Sequence, residues 1–210
     1  MKTSRKSIKW LAVFLLGLSI ISCKKDKDSV VEDLVKQEIL DKKIADIIPK
    51  EYQDTLTKLG IAINQDVNPP SLAGAFEFKP VKLLKSNRPQ DPANLAFLDV
   101  SIKFFAQDKD NNIKLITKNL LNTADTSIVT AISGSGNKFT VYGKVKSVQG
   151  PNSAIFGVII SGTRDGSALK DIRYGLINID NSKGGTSFIK QGEARAIFDT
   201  DGISAEIPMF

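Results

Sequence analysis

From Asn68-Pro69-Pro70 to the C-terminus, apolar residues recur at period two in short runs broken by turn clusters, and helical periodicity does not return. Leu72, Gly74, Phe76 and Phe78 form one face of a first strand. Leu98, Val100, Ile102 and Phe104 form the clearest run, which stops at Asp108-Lys109-Asp110-Asn111-Asn112. Ile113 to Lys118 and Ser127 to Ser133 follow, and Gly134-Ser135-Gly136-Asn137 turns the chain into Phe139, Val141, Gly143 and Val145. Gln149-Gly150-Pro151-Asn152 leads to Ala154–Ser161, and Asp165-Gly166 is a hairpin signal ahead of Leu169 to Ile179. With Thr186 to Ile189 and Ala194 to Phe198, the set comes to eight or nine strands at near-regular spacing. Parallel pairing needs long crossovers that these short loops do not provide. The chain is therefore expected to be mainly β and antiparallel, as an up-and-down barrel or as a two-layer sandwich. The hairpin-like connections favour the barrel, because closure removes exposed edges. Outward positions carry Lys, Asp, Arg and Ser, so the lipid-facing apolar band of an outer-membrane barrel is not expected.

Two helical patterns precede the strands. Ser29-Val30-Val31-Glu32 fits a capping box, with Ser29 as N-cap and Glu32 reaching back. Val31, Leu34, Val35, Ile39, Ile44, Ile47 and Ile48 then recur at roughly helical spacing, and Pro49 interrupts them. Tyr52, Leu56 and Leu59 mark a second short helix with Gly60 as its C-cap. Such stripes are expected to cover the domain's own core.

At the N-terminus, Lys2, Arg5, Lys6 and Lys9 precede an apolar run from Trp10 to Ile21. About a dozen apolar residues fall short of the roughly 20 that span a bilayer, so the segment reads as an export signal. Ile20-Ile21-Ser22-Cys23 resembles the lipobox of bacterial lipoproteins. That resemblance implies cleavage before Cys23 and a diacylglycerol on its sulfur, with acyl chains such as palmitate as the membrane anchor. It also accounts for a lone thiol in an oxidising compartment. The expected organisation is 1–22 signal peptide, 23–28 lipidated tether, 29–68 helical lead-in and 69–210 β-barrel domain.

The 29 basic residues less the four of the signal leave 25, against 23 acidic, so the formal +6 does not describe the exported chain. No basic footprint for nucleic acid remains. The sequence holds no histidine, and Cys23 is its only cysteine. Ser-His-Asp and Cys-His catalysis, imidazole or thiolate zinc sites and structural disulfides are thereby excluded. No cofactor is expected. Carboxylates such as Asp99 and Glu77 are numerous but show no catalytic spacing, so the chain is read as non-enzymatic. Asp108-Lys109-Asp110-Asn111-Asn112 resembles the start of a calcium loop, yet Ile113 stands at loop position six and Asn119 at twelve. It reads as a polar turn, and so do Asp199-Thr200-Asp201-Gly202 and Gly134-Ser135-Gly136. Arg173 and Tyr174 fall on opposite faces of one strand, with the pleat phase open.

Cys23-Lys24-Lys25-Asp26, the junction Ile47-Ile48-Pro49, the stretch Leu59 to Ile63, and Asn68-Pro69-Pro70-Ser71-Leu72-Ala73-Gly74 are similar to a layout in uncharacterised Bacteroidota outer-membrane lipoproteins. Gly192 to Ser204 looks like the closing strand of the same proteins. The resemblance implies a lipocalin-like, or calycin-like, barrel without an established activity. Gly74-Ala75-Phe76 stands where lipocalins have Gly-x-Trp, and Arg195 is expected to close the barrel structurally against Phe76. The expected function is a lipid-anchored envelope protein, held at the outer membrane on its periplasmic or cell-surface face through Cys23. It would bind a small apolar or amphipathic ligand or act as an envelope interaction module. Surface adhesion or glycan binding is the alternative.

Overall fold

The computed structural model describes residues 24–119 and 126–210. The signal, the lipobox and Cys23 lie outside them. Two helices, α1 (Lys24–Ile47) and α2 (Lys50–Lys58), precede eleven strands. These are β1 (Val67–Asn68), β2 (Gly74–Phe78), β3 (Val81–Ser86), β4 (Val100–Phe105), β5 (Lys114–Lys118) and β6 (Thr126–Ser135). β7 (Lys138–Gln149), β8 (Asn152–Asp165), β9 (Ala168–Lys183), β10 (Ala194–Asp199) and β11 (Ile203–Ile207) complete the set.

The protein is mainly β, and its strands form one mixed, open sheet in the order β11-β2-β4-β5-β6-β7-β8-β9-β10-β3. All pairs along this path are antiparallel, and β1 runs parallel beside β6. This corrects the expected eight- or nine-stranded run of plain hairpins. β2 and β3 are consecutive in sequence but not neighbours: the chain turns a corner at Lys79-Pro80, and β3 pairs with β10 instead. The backbone N–H and Oγ1 of Thr200 both donate to the Pro80 carbonyl at 3.0 Å, tying that corner to the β10–β11 turn. Thr186 to Ile189 is not a strand; Phe188 and Ile189 pack on the core from a loop.

Each face of the sheet has its own core. One face gathers Phe76, Phe104, Phe139, Phe156 and Tyr174. The other packs Ala131, Tyr142, Ile159 and Ile177 under Leu40, Ile44, Ile47 and Ile48 of the α1 region and Leu56, Leu59 and Ile61 around α2. Along β8, Val158 and Ile160 face the first core while Ile159 faces the second, which is why Ala154–Ser161 reads as an unbroken apolar run. At Gly175 a Cβ would stand 2.8 Å from Ile61 Cγ1 and 3.0 Å from Leu56 Cδ2, so the missing side chain lets α2 and its exit seat on β9.

Helix α1 begins at Lys24, so Ser29 lies inside the helix rather than capping it, and most of the expected tether is helical. Glu32 pairs with Lys36 one turn on, at 2.7 Å, instead of reaching back to a cap. The single stripe expected along α1 is two stripes. Leu40, Ile44 and Ile47 are buried, whereas Val31, Leu34, Val35 and Ile39 are each more than half exposed. At roughly 100° per residue the two sets project to opposite sides of the helix. Among the described side chains of α1, those that cover the sheet therefore lie in its C-terminal half.

Candidate functional site

Strand lengths disagree at one end of the sheet. β10 begins at Ala194 opposite Ile177 and β3 ends at Ser86 opposite Arg195, while β7, β8 and β9 run on past that level to the Gln149–Asn152 turn and to Lys183. The space beside this overhang is a cavity of about 690 Å³. Phe97, Val100, Phe156, Leu176, Phe188 and Ile197 supply its apolar wall, and Asn119, Gln149, Ser187 and Arg195 its polar groups. Phe156 meets Phe188 edge to face with ring centroids 5.9 Å apart. Such a volume, with a mostly apolar lining and a few polar groups, suits a small organic ligand.

The loops over the cavity, residues 87–99 and 184–193, are laced together. Asn87 Nδ2 donates to the Gly192 carbonyl at 2.9 Å, and the Ala194 N–H donates to Asn87 Oδ1 at 2.7 Å. Asn178 Nδ2 holds the Ile189 carbonyl at 2.6 Å. Arg195 Nε and Nη2 each donate to Asp91, to Oδ2 and Oδ1 respectively, at 2.7 Å. Arg88 Nη1 reaches the same Oδ1 at 2.8 Å, while its Nε donates to Glu193 at 2.8 Å. Ser86 Oγ completes the shell of Asp91 at 2.8 Å. The Arg195 hydrogen bonds, joined by Ser86 and by the charge of Arg195 and Arg88, hold the Asp91 carboxyl down to about 2 against its burial. The mouth is thus preorganised by partly buried, charge-assisted bonds.

The structure brings together two of the three residues expected at the closure. Gly74, at φ +150°, lies against Phe76, whose Cζ is 3.0 Å from where a Cβ would stand. Arg195 is elsewhere: its guanidinium is 5.9 Å from the Phe97 ring and bound to Asp91. The guanidinium over Phe76 belongs to Arg164, 5.0 Å from the ring centroid. Arg164 pairs in register with Leu169, a core residue, and cross-strand partners share a face. Knowledge of that register would have pointed to Arg164. On β9, Tyr174 faces the core and Arg173 turns outward, where Nη1 donates to the Gly60 carbonyl at 2.6 Å.

The other candidates are structural. Asp108 Oδ1 accepts the N–H groups of Asp110 and Asn112 at 2.9 and 3.0 Å, which closes the turn on itself. The ammonium of Lys43 lies against the Asp110 and Asn111 carbonyls, both at 3.4 Å, and against Asn112 Oδ1. Asn111 is buried with its Nδ2 on the carbonyls of Ile132, at 2.9 Å, and Val67, at 3.2 Å. In the 199–202 turn, Ser204 Oγ donates to Asp199 Oδ2 at 2.6 Å, and burial pushes the Asp199 carboxyl above its ordinary range. Glu77 pairs with Lys79, and Asp99 offers its backbone carbonyl to Asn119. Among the described residues no group of three or more His, Cys, Asp or Glu is placed to hold a metal ion. Comparison with protein-family models, with curated proteins and with solved structures finds no match.

Proposed function

We propose that this chain is a non-enzymatic, lipid-anchored lipoprotein of the outer membrane, of the Bacteroidota type, that holds a small apolar or amphipathic molecule in the cavity at the overhanging end of its sheet. The observation that carries this reading is the cavity itself: about 690 Å³, aromatic and aliphatic over most of its wall, with a fixed polar group in Arg195. A barrel-like wrap is part of the proposal. It is supported by β11, which pairs with β2 through Ala205–Ile207 and with the start of β9 through Ile203 and Ser204. Strands β2, β4, β5, β6, β7, β8, β9 and β11 are then linked in a ring, with β10 and β3 as a flap beside β9.

The test is native mass spectrometry on the full chain, released from its own membranes in a mild non-ionic detergent. Wild type should carry one small molecule held without a covalent bond, and Leu176→Trp, which fills the cavity, should not. A wild-type chain that retains no such mass, and takes up no added N-phenyl-1-naphthylamine, overturns the ligand reading.

A further inference from the structure

Arg195 is the one charged side chain on the cavity wall among the described residues, and it is already spoken for. Both its bonds to Asp91 are short and parallel, and the Asp91 side chain is only 4 % exposed. Asp91 is shared with Arg88, and Arg88 with Glu193. Two guanidinium groups therefore meet two carboxylates, and these four charges cancel; the Lys190 ammonium, whose charge also acts on Glu193, is not on the cavity wall. The low Asp91 carboxyl keeps this balance intact at neutral pH.

An anionic head entering the cavity would find no uncompensated cation. It would have to shed its water beside an apolar wall and then compete with a preformed bidentate ion pair. A neutral head faces neither cost. A guanidinium carries five N–H donors, of which Asp91 takes two from Arg195, so further donors remain for an uncharged oxygen. Asn119, Gln149 and Ser187 add amide and hydroxyl groups that donate and accept without charge. Phe97, Phe156, Leu176 and Phe188 meet the rest of such a molecule.

Resting on the ligand reading above, we propose that the cavity selects an uncharged amphiphile, an apolar body bearing a hydroxyl, ester or amide head, and rejects the matching anion. The role of Asp91 is then selectivity: it neutralises Arg195 so that fatty carboxylates are not captured.

Two photoreactive dodecyl probes that differ only in the head, an alcohol and a carboxylate, test this on membranes that carry the full chain. Cross-links to peptides containing Phe97 or Phe188 are counted relative to those in Leu176→Trp membranes. At neutral pH the alcohol should label wild type at least about tenfold more than the carboxylate, the equivalent of about 1.4 kcal/mol. Asp91→Asn frees Arg195 and should invert that ratio. A second arm needs no variant: acidification that protonates the carboxylate probe should raise its labelling of wild type. If the carboxylate labels wild type as well as the alcohol, or stays flat on acidification, the selectivity is refuted while the ligand reading stands. If neither probe labels above the filled variant, the ligand reading fails first.

Discussion

Replacing Asp91 with asparagine removes one charge from the centre of the network over the cavity and leaves the shape unchanged. Its magnitude follows from the structure. The carboxyl is drawn from 3.8 to about 2. At roughly 1.4 kcal/mol per unit this is worth about 2–3 kcal/mol of folding stability. Geometry gives a consistent figure. Breaking a fully buried pair costs about 3–5 kcal/mol, and partial exposure of the partners lowers that toward 2–3 kcal/mol. The Arg88 and Arg195 side chains are 19 % and 20 % exposed, so the lower range applies.

The pH dependence fixes the cause. A carboxyl depressed in the folded state stabilises fully above its unfolded value of 3.8 and loses that contribution as pH falls toward 2. Urea unfolding of wild type and Asp91→Asn should therefore differ by about 2–3 kcal/mol at neutral pH and by only a small fraction of that near pH 2, with equal m-values. Other carboxylates titrate in both proteins, so the difference between the curves isolates Asp91. A gap below about 0.5 kcal/mol at neutral pH, or one that does not close on acidification, would refute the network as drawn.

Gly175→Ala should lower stability by about 1–3 kcal/mol in a thermal melt, since the new methyl group lands on Ile61 and Leu56; an unchanged melting temperature would mean that α2 is not seated on β9. Asn111→Ala leaves the Val67 and Ile132 carbonyls without their side-chain donor and keeps a φ of +57°, at a cost of about 2–4 kcal/mol by chemical denaturation. Asn111→Gly should recover the backbone part of that loss. Cys23→Ser should abolish incorporation of an alkyne-tagged fatty acid in growing cells, and persistent labelling would place the lipid on another residue.

The sequence pattern reached the long central strands because β7, β8 and β9 alternate or run apolar over 12 to 16 residues. It missed β3 and β11, which are no shorter than β2 or β5 but lack a clean apolar alternation: the buried residue of β11 is Ser204. β3 carries its signal in Val81 and Leu83 alone, and Leu84 between Lys82 and Lys85 blurs the alternation. The reverse error came at Thr186 to Ile189, where adjacent Phe188 and Ile189 look strand-like but cap the core from a loop. Neither the swap of Arg164 for Arg195 at Phe76 nor the bond between Arg195 and Asp91 could be read from spacing. Both join residues that only the sheet register brings together: Arg195 and Asp91 are 104 positions apart.

The same register explains why the cavity lies where it does. Val145 pairs with Phe156, and both keep their side chains in the core, but four residues later the β7–β8 hairpin ends in open polar sequence at Gln149 and Asn152. Beside β9, β10 and β3 have no counterpart to that extension, because β10 starts at Ala194 opposite Ile177 and β3 ends at Ser86 opposite Arg195. Apolar side chains along the overhang would face water unless something covered them, so loops 87–99 and 184–193 supply Phe97 and Phe188 as a roof. Loops cannot pack at the density of strands without satisfying their backbone groups. Here Asn87 and Asn178 satisfy the Gly192 and Ile189 carbonyls, while Arg88 and Arg195 tie the loops through the Glu193 and Asp91 carboxylates; Phe188 meets the floor at Phe156, and the cavity lies beside that contact. The polar network and the cavity are thus one feature: the ion pairs that fix loops 87–99 and 184–193 to each other also set the shape of the space between Phe97, Phe188 and Leu176.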